Sequence, residues 1–261
     1  MTVVLVTGAG SGIGAAVVLA AAAQGASVAA VDIDAARLNQ VASQAAQAGA
    51  NNLLALEADV RSEHAIEEAL RQCRERLGVP TAVLANAGIE ITDAAHELPL
   101  ADWSRTLDVN LTGAFLTARH TIGEMLRAGL GGSVVCTSSP SAFVGFAGGH
   151  NAAYAASKGG VSAMVRSLAL DYASAGIRVN GVVPGATDTP LLTVAAAPEQ
   201  RSQLRDRIGE LARAQVPLGR LGAPSEIANA VLWLWSDASS YVTGSHLVVD
   251  GGLLAKSANS F

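Results

Sequence analysis

Short apolar runs alternate with longer segments of helical spacing along the chain, and this alternation constrains the fold more than any other feature. Seven runs rich in Val, Leu and Ala are predicted strands, at residues 3–6, 27–31, 53–56, 82–84, 133–136, 178–183 and 247–249. Because these runs are continuously apolar, each strand is expected to be buried on both faces. The pattern predicts an α/β fold with a parallel sheet covered by helices on both sides.

Helical spacing occupies the intervals between the strands, at residues 13–24, 35–47, 63–77, 100–127, 152–173 and 224–235. This order predicts a doubly wound sheet, which binds ligands at the carboxyl ends of its strands. The length of 261 residues suits one domain over residues 1–261. Residues 186–216 fit the alternation poorly, because Pro190 and Pro198 interrupt them and charges crowd their second half. We predict that they form a lid over a substrate.

Composition excludes several classes of function. The formal charge is -5, no block of Lys and Arg occurs, and aromatic residues make up 4%, which argues against nucleic-acid binding. Neither a signal peptide nor an apolar run of about 18 residues is evident, so we expect a cytoplasmic protein that does not enter a membrane. The isolated Cys73 and Cys136 suggest packing residues. The five histidines lack HxxxH spacing, and no metal is expected.

A glycine-rich turn follows the first predicted strand, with the sequence Thr7-Gly8-Ala9-Gly10-Ser11-Gly12-Ile13-Gly14. It opens a predicted helix whose N-terminal amides and dipole can hold a pyrophosphate. Glycine permits both the tight turn and the close approach of backbone to phosphate. Glycine patterns also occur in ordinary turns, but the position between strand and helix favours a dinucleotide. The predicted contacts are Gly8, Ser11, Gly12, Ile13 and Gly14.

The second predicted strand is followed by Asp32, eighteen residues past Gly14. A carboxylate there can accept both hydroxyls of an adenosine ribose and would repel a 2′-phosphate. No arginine occupies Ser11 or Ile33, where a positive charge could offset that repulsion, so NAD is predicted rather than NADP. The alternative is that Asp32 caps the following helix, a role that Asp34 could serve equally well.

Tyr154 and Lys158 lie four residues apart, on one face of a predicted helix. With the glycine turn, this pair makes the chain resemble the classical short-chain dehydrogenase/reductase family over nearly its whole length. The further matches, each weak alone, are Asn86-Ala87-Gly88, Asn110 within Asp108-Val109-Asn110, Ser138-Ser139, Pro184-Gly185, Val242-Thr243-Gly244 and Asp250-Gly251-Gly252. The resemblance implies a Rossmann fold, a homotetramer and hydride transfer between NAD and a carbonyl or secondary alcohol.

The resemblance also implies roles for the matched residues. Tyr154 would exchange the substrate proton, Lys158 would stabilise the phenolate and bind the nicotinamide ribose, and Asn110 would help hold a relay water. A free tyrosine has a pKa near 10, so a base near neutrality needs such a cation. The remaining implied cofactor contacts are Ile33, Asp59 and Val60 near the adenosine, Asn86, Ala87 and Gly88 along the ribose, and Pro184, Gly185, Thr187 and Thr189 at the nicotinamide.

Some of these residues have structural alternatives. Asp59 could cap a helix that begins near Ser62, and Pro184-Gly185 could be only a turn. The catalytic serine is also ambiguous. The family usually places it thirteen positions before the tyrosine, which selects Ser141, whereas the strand-end motif selects Ser139 at fifteen positions. We favour Ser139, because a strand end is rigid and a loop can absorb two residues; Ser141 would then line the substrate pocket with Tyr154.

The sequence supports three other functions less well. A serine hydrolase needs a GxSxG elbow, which is absent. A non-catalytic NAD-binding regulator would not need Asn110, Ser139, Tyr154 and Lys158. A 3-oxoacyl thioester reductase shares the framework but usually prefers NADPH, against which Asp32 argues. The expected substrate is a sugar, a polyol or a small secondary alcohol. Large apolar groups at Trp233–Trp235 and in the tail, residues 253–261, are expected to contact another subunit.

Overall fold

The computed structural model describes residues 2–50, 52–146, 148–193 and 197–256. Within them, one parallel sheet runs in the order β3-β2-β1-β4-β5-β6-β7. This confirms the predicted doubly wound sheet. Its strands are β1 (Val3–Thr7), β2 (Ser27–Asp32), β3 (Leu53–Glu57), β4 (Ala82–Ala85), β5 (Gly132–Thr137), β6 (Ile177–Pro184) and β7 (His246–Val249).

Helices cover both faces of the sheet. Because side chains alternate along a strand, Val3 and Leu5 join one core, and Val4 and Val6 join the other. Helices α3, α5 and α6 close the first core, while α1, α2 and α8 close the second. The helices are α1 (Gly12–Ala23), α2 (Ala35–Gln47), α3 (Glu63–Arg76), α4 (Leu100–Leu107), α5 (Gly113–Ala128), α6 (Ala152–Tyr172), α7 (Arg201–Gln215) and α8 (Pro224–Trp235).

The strand order reverses beside β1. From β1 the chain builds β2 and β3 outward on one side, and then returns to place β4 on the other side. The backbone N–H of Asn86 donates to Thr7 Oγ1 at 3.0 Å, which ties the end of β4 to the end of β1. A crevice therefore opens at the carboxyl ends of these two strands, where this fold class binds ligands.

The predicted helix over residues 100–127 is interrupted. Helix α4 ends at Leu107, a π-helical turn covers Asp108–Thr112, and α5 begins at Gly113. A β-carbon on Gly113 would lie 2.6 Å from Val60 Cγ2, so only glycine lets α5 approach the loop after β3 this closely. Apolar spacing did not reveal this turn, because a single wider turn hardly alters the pattern over so long a segment.

The tryptophans near the end of the chain differ in their environments. The indole N–H of Trp235 donates to the Val83 carbonyl at 3.2 Å, so this residue packs on its own sheet. Trp233 is 39% exposed and stays a candidate for subunit contact. The final residues of the predicted contact, 257–261, lie outside the described part of the chain.

Cys73 and Cys136 are both buried, and neither forms a disulfide. Burial raises the pKa of each thiol to about 12, which keeps both protonated near neutral pH. This confirms their interpretation as packing residues. Among the residues described, we find no helix with both the length and the apolar character to cross a membrane.

Candidate active site

A cavity of about 710 Å³ lies along the carboxyl edge of the sheet. Asp32 lines one end, the glycine turn lines the middle, and Ser139, Tyr154 and Lys158 line the other end. The fold therefore brings together residues that lie more than a hundred positions apart in the sequence. Of the predicted site residues, all line this cavity except Gly14 and Asn110.

The glycine turn suits an anionic ligand. Gly8 and Gly12 adopt φ angles of 66° and 54°, which favour glycine. Ser11 begins α1 without a side-chain capping bond, and the first turn of the helix carries no acidic residue. The first amides of α1 are thus left for a ligand, with the positive end of the helix dipole behind them. These residues fit a dinucleotide pyrophosphate.

Gly14 contributes through packing rather than by lining the cavity. A β-carbon there would lie 2.0 Å from the Gly8 carbonyl oxygen and 3.0 Å from Asn86 Nδ2. The helix consequently sits directly on the turn that it follows. This is the close helix-to-strand packing for which the third glycine of a dinucleotide fingerprint is needed.

Asp32 is held at the end of β2 by backbone donors. Its Oδ2 accepts from the Gly10 N–H at 2.8 Å, and its Oδ1 accepts from the Asp34 N–H at 3.0 Å. Asp34 caps α2 by accepting from the Arg37 N–H at 3.1 Å. The capping alternative for Asp32 is therefore wrong. Since a carboxylate offers about four acceptor sites, two remain for a ribose.

Two arginines line the same end of the cavity as Asp32. Arg37 Nε lies 3.0 Å from Asp34, and the guanidinium of Arg61 lies 2.6 Å from Asp59. Sequence reasoning examined only positions 11 and 33 for a positive charge and missed both. The spacing from Asp32 to Arg37 carried a signal, because Arg37 lies in the first turn of the following helix.

The capping alternative for Asp59 is also wrong, because Ser62 Oγ caps α3 by accepting from the Ala65 N–H at 3.2 Å. Asp59 accepts instead from Arg61, and this hydrogen bond lowers the pKa of its carboxyl. Asp59 and Val60 line the cavity beside Arg61. Their predicted place beside an adenine is compatible with this geometry.

Lys158 and Tyr154 adjoin each other on α6. Lys158 is buried, its Nζ donates to the Thr137 carbonyl at 2.8 Å, and it lies 5.6 Å from the centroid of the Tyr154 ring. Burial lowers the pKa of Lys158 to about 8. Burial likewise raises the pKa of Tyr154 to about 12, and the charge of Glu90 adds to this. The chain's own groups thus leave the phenol protonated at neutral pH.

Asn110 lies in the π-helical turn, and its side chain hydrogen-bonds the backbone of another segment. Its Oδ1 accepts from the Ile89 N–H at 2.8 Å, and its Nδ2 donates to the Ile89 carbonyl at 2.9 Å and to Ser157 Oγ at 3.0 Å. Asn110 consequently joins the segment after β4 to helix α6. This is a positioning role; the water relay stays a prediction.

The structure separates the two candidate serines. Ser139 directly follows Ser138 at the end of β5 and lines the cavity beside Tyr154, where its hydroxyl lowers the pKa of the phenol. Ser141 Oγ instead accepts from Asn151 Nδ2 at 3.4 Å. The geometry supports Ser139 as the serine that works with the tyrosine.

A glycine-rich loop precedes the helix that carries Tyr154. Gly148, Gly149 and His150 have successive φ angles of 94°, 49° and 62°. This run in the left-handed region lets the chain turn back before α6 begins at Ala152. His150 is exposed, and its carbonyl accepts from the Asp93 N–H at 2.8 Å.

We expect Ser139→Ala to lower kcat by about 100-fold, because it removes a hydrogen-bond donor to oxygen at the reacting centre. Ser141→Ala is expected to have a much smaller effect, since Ser141 contacts Asn151 and not the phenol. Steady-state rates of both variants at saturating cofactor test this assignment. A larger loss of kcat in Ser141→Ala than in Ser139→Ala would instead assign Ser141 as the catalytic serine.

The residues predicted at the nicotinamide end lie at the end of β6, which closes with Pro184, and in the segment that follows it. The alternative that Pro184-Gly185 is only a turn is wrong for Pro184, which pairs with Val249 in the sheet. A β-carbon on Gly185 would lie 2.6 Å from Asp250 Cα, so glycine is needed for that close approach. Thr187 Oγ1 donates to the Gly185 carbonyl at 2.9 Å and is thus bonded within the turn. Thr189 lies against the glycine turn, because a β-carbon on Gly12 would be 3.1 Å from it.

Glu90 is a cavity residue that sequence reasoning missed. Burial raises the pKa of its carboxyl, and the neighbouring Asn151 side chain and Lys158 charge lower it. It follows Asn86-Ala87-Gly88 by two positions, which was the available signal. That signal was insufficient, because only the fold shows that this side chain reaches the substrate end.

One group of possible metal ligands occurs elsewhere in the described ranges. Oxygen or nitrogen atoms of Glu63, Glu67 and His120 lie within 4.8 Å of one another. Arg119 also pairs with Glu63 at 2.8 Å, so that carboxylate already has a cation. We assign no metal to this group.

Comparison with known proteins agrees with this geometry. A family model described as enoyl-(acyl carrier protein) reductase matches residues 8–254. The chain is 39% identical over 254 residues to cis-4-hydroxycyclohexanecarboxylate dehydrogenase of Sinomonas cyclohexanicum, covering 97% of this chain and 96% of the relative. It is 36% identical to 3beta-hydroxysteroid dehydrogenase 1 of Eggerthella lenta, covering 96% and 92%. The chain belongs to the short-chain dehydrogenase/reductase family.

Solved structures of this family superpose closely on the chain. A short-chain dehydrogenase/reductase from Mycobacterium marinum is 34% identical, with a TM-score of 0.90 over 98% of this chain and 96% of the other. Levodione reductase is 31% identical, with a TM-score of 0.90 and 98% coverage of both chains. Short-chain dehydrogenases/reductases use nicotinamide cofactors. Since the named relatives are dehydrogenases of hydroxy compounds, membership in the family makes this protein an oxidoreductase acting on CH–OH groups.

Proposed function

We propose that this protein is an NAD-dependent dehydrogenase that oxidises a sugar, a polyol or a small secondary alcohol to the carbonyl compound. The observation that supports this most is that Ser139 and Tyr154 line the same cavity as Asp32, with the glycine turn between them. A dinucleotide bound at the glycine turn would lie between a ribose-binding carboxylate and an acid/base pair.

Each residue has a defined task in the proposed reaction. Bound NAD would supply the acceptor for the hydride. Ser139 donates a hydrogen bond to the substrate oxygen, and the Tyr154 phenolate accepts the carbinol proton. Lys158 stabilises the phenolate with its positive charge. Asn110 holds the backbone of Ile89 near them. The carbonyl product forms as the C–H electron pair leaves the carbinol carbon as hydride.

The pH dependence of the proposed oxidation follows from the proton that Tyr154 must accept. Oxidation needs Tyr154 as a base, yet burial raises its pKa to about 12 in the chain alone. Positive charge beside the phenol lowers that pKa, and both the Lys158 ammonium and an oxidised nicotinamide ring carry it. The proposed reaction in the oxidative direction therefore becomes faster as pH rises, until Lys158 loses its own proton.

Residues 186–216 remain our proposed lid. Their described part includes α7, whose Ile208, Leu211, Ala212 and Gln215 line the cavity. Arg205 of α7 forms an ion pair with Asp188, which ties the helix to the segment after β6. Positions 194–196 of the predicted lid lie outside the described residues.

A homotetramer remains part of the proposal. Phe115 on α5 is 41% exposed and Leu170 on α6 is 83% exposed. Large apolar side chains on two long neighbouring helices are suited to burial between subunits.

Cofactor choice is tested by replacing Asp32 with Ser. We expect the preference for NAD over NADP, as a ratio of kcat/KM values, to fall by about tenfold or more, because the carboxylate no longer repels a 2′-phosphate. Arg37 and Arg61 line the same end and would then attract that phosphate.

Glu57→Ser is the matched control, since Glu57 pairs with Asp32 in the sheet register and does not line the cavity. Rates with both cofactors at one substrate concentration provide the ratio. An unchanged ratio in Asp32→Ser would remove the ribose role from this carboxylate.

The activity itself is tested by absorbance at 340 nm, with NAD and a panel of secondary alcohols, polyols and aldoses. Reduction of NAD by one of these classes would support the proposal. If no class reduces NAD although NADH binds, the proposed function is wrong.

A further inference from the structure

The cavity wall beside Tyr154 carries a carboxylate whose backbone is unusually well held. Glu90 follows Ile89, and the Ile89 N–H and carbonyl are both bonded by the side chain of Asn110. Asn110 is itself buried and bonded to Ser157 on α6. Glu90 is thus carried by a rigid segment, which is what a precise binding residue requires.

Glu90 belongs to a second polar group beside the reacting one. Its carboxyl interacts with the Asn151 side chain, which lowers the pKa of Glu90, and Asn151 Nδ2 donates to Ser141 Oγ at 3.4 Å. All three side chains line the cavity. They are next to Ser139 and Tyr154, so a substrate oxidised at the phenol would lie against them.

The Glu90 carboxylate has acceptor capacity left. Among the described residues it forms no ion pair within 4.0 Å, unlike the carboxylates of Glu68, Glu124 and Glu226. Lys158, the cation that works with Tyr154, donates its hydrogen bond to the Thr137 carbonyl. A partly buried carboxylate with one amide partner gains most from a further hydroxyl donor, and it repels a second negative charge.

We infer that Glu90 is a specificity-determining residue that accepts a hydrogen bond from a second hydroxyl of the substrate, on the carbon next to the one oxidised. The preferred substrates are consequently neutral vicinal diols and polyols rather than hydroxy acids. This inference rests on the proposed function, because it places the oxidised carbon at Ser139 and Tyr154. Asn151 and Ser141 complete the subsite by holding the carboxylate.

The test compares matched six-membered alcohols. Purified enzyme with NAD is given cyclohexanol, cis- and trans-1,2-cyclohexanediol and cis-4-hydroxycyclohexanecarboxylate. The variants are Glu90→Gln, Glu90→Ala and the control Glu97→Gln, whose carboxylate is 64% exposed and lies outside the cavity. The readout is the ratio of kcat/KM for the better diol to that for cyclohexanol.

The wild type and Glu97→Gln are expected to prefer the diol. Glu90→Ala is expected to lower the ratio of diol to cyclohexanol by about tenfold or more, because one hydrogen bond to a charged group is lost. Using a ratio cancels any effect of Glu90 on Tyr154 that all substrates share. The hydroxy acid should improve relative to cyclohexanol in both Glu90 variants. Glu90→Gln keeps the shape of the side chain and serves if Glu90→Ala does not fold.

Failure of the inference and failure of the proposed function give different results. If NAD is reduced but the diol ratio is the same in all four proteins, the inference is overturned and the proposed function stands. If nothing is oxidised, the proposed function falls, and diol binding to the enzyme–NADH complex is measured by NADH fluorescence. Weaker diol binding in Glu90→Gln than in Glu97→Gln then supports the subsite, whereas equal binding overturns it.

Discussion

Replacing Tyr154 with Phe is expected to lower kcat by about 1,000-fold while NADH binding stays nearly unchanged. The substitution removes only the hydroxyl that exchanges the proton, and general acid–base catalysis contributes about 100- to 10,000-fold. The ring remains in place beside Lys158, so the cavity keeps its shape. A loss confined to kcat is the signature of a group that acts in the transition state.

Turnover at 340 nm and a fluorescence titration with NADH measure the two quantities separately. Tyr241→Phe is the matched control, because Tyr241 is fully exposed. The wild-type rate of oxidation should also rise with pH over roughly pH 6 to 8, since the pKa of Tyr154 is raised and its base form is scarce at low pH. Retention of more than about a tenth of the activity in Tyr154→Phe would exclude it as the acid/base.

The second large effect is expected for Gly14→Ala. The added methyl would lie 2.0 Å from the Gly8 carbonyl oxygen, closer than β-carbons approach backbone atoms, so the helix and the turn must separate. We expect NADH to bind about 1,000-fold more weakly, equivalent to about 4 kcal/mol. The thermal midpoint should fall as well, because Gly14 is buried.

Gly209→Ala on α7 is the control, since an added β-carbon there meets nothing within 4 Å. That variant should be as stable as the wild type or slightly more so, as Ala favours helix over Gly. Circular dichroism reports folding and NADH fluorescence reports binding. Normal binding and a normal melting point in Gly14→Ala would show that the turn is not tightly packed.

The strands β1, β2, β4, β5 and β6 were predictable because burial on both faces leaves an apolar run. The outer strands β3 and β7 are only partly buried, so the expectation of burial on both faces was wrong for them. The observed strands extend past these runs at their carboxyl ends to include Thr7, Asp32, Glu57 and Thr137. Asp32 and Thr137 line the cavity, and Thr7 accepts a hydrogen bond from Asn86 beside it, so an apolar criterion stops short of them. In β1, β2 and β5 the predicted limit therefore ended one residue before the polar end that serves the site, whereas the end of β7 was predicted correctly at Val249.

Residues of the site were predictable where local spacing has a physical meaning, as with Tyr154 and Lys158 on one helix face. Arg61 and Glu90 were missed because their importance depends on which strand ends become neighbours. Arg37 was missed although its spacing from Asp32 carried a local signal. The choice between Ser139 and Ser141 needed the loop conformation, which counting residues does not supply. The capping alternatives for Asp32 and Asp59 were resolved only when Asp34 and Ser62 were seen to cap the helices.

The loop that contains Gly148, Gly149 and His150 connects the segment after β5 to helix α6. Ser139 and Tyr154 lie in one cavity because a strand end and a helix fix them independently of this loop. Changes in the length or the side chains of this loop therefore need not move the residues that transfer the proton. The loop wall and the reacting pair are separate parts of the chain, and one can change while the other is preserved.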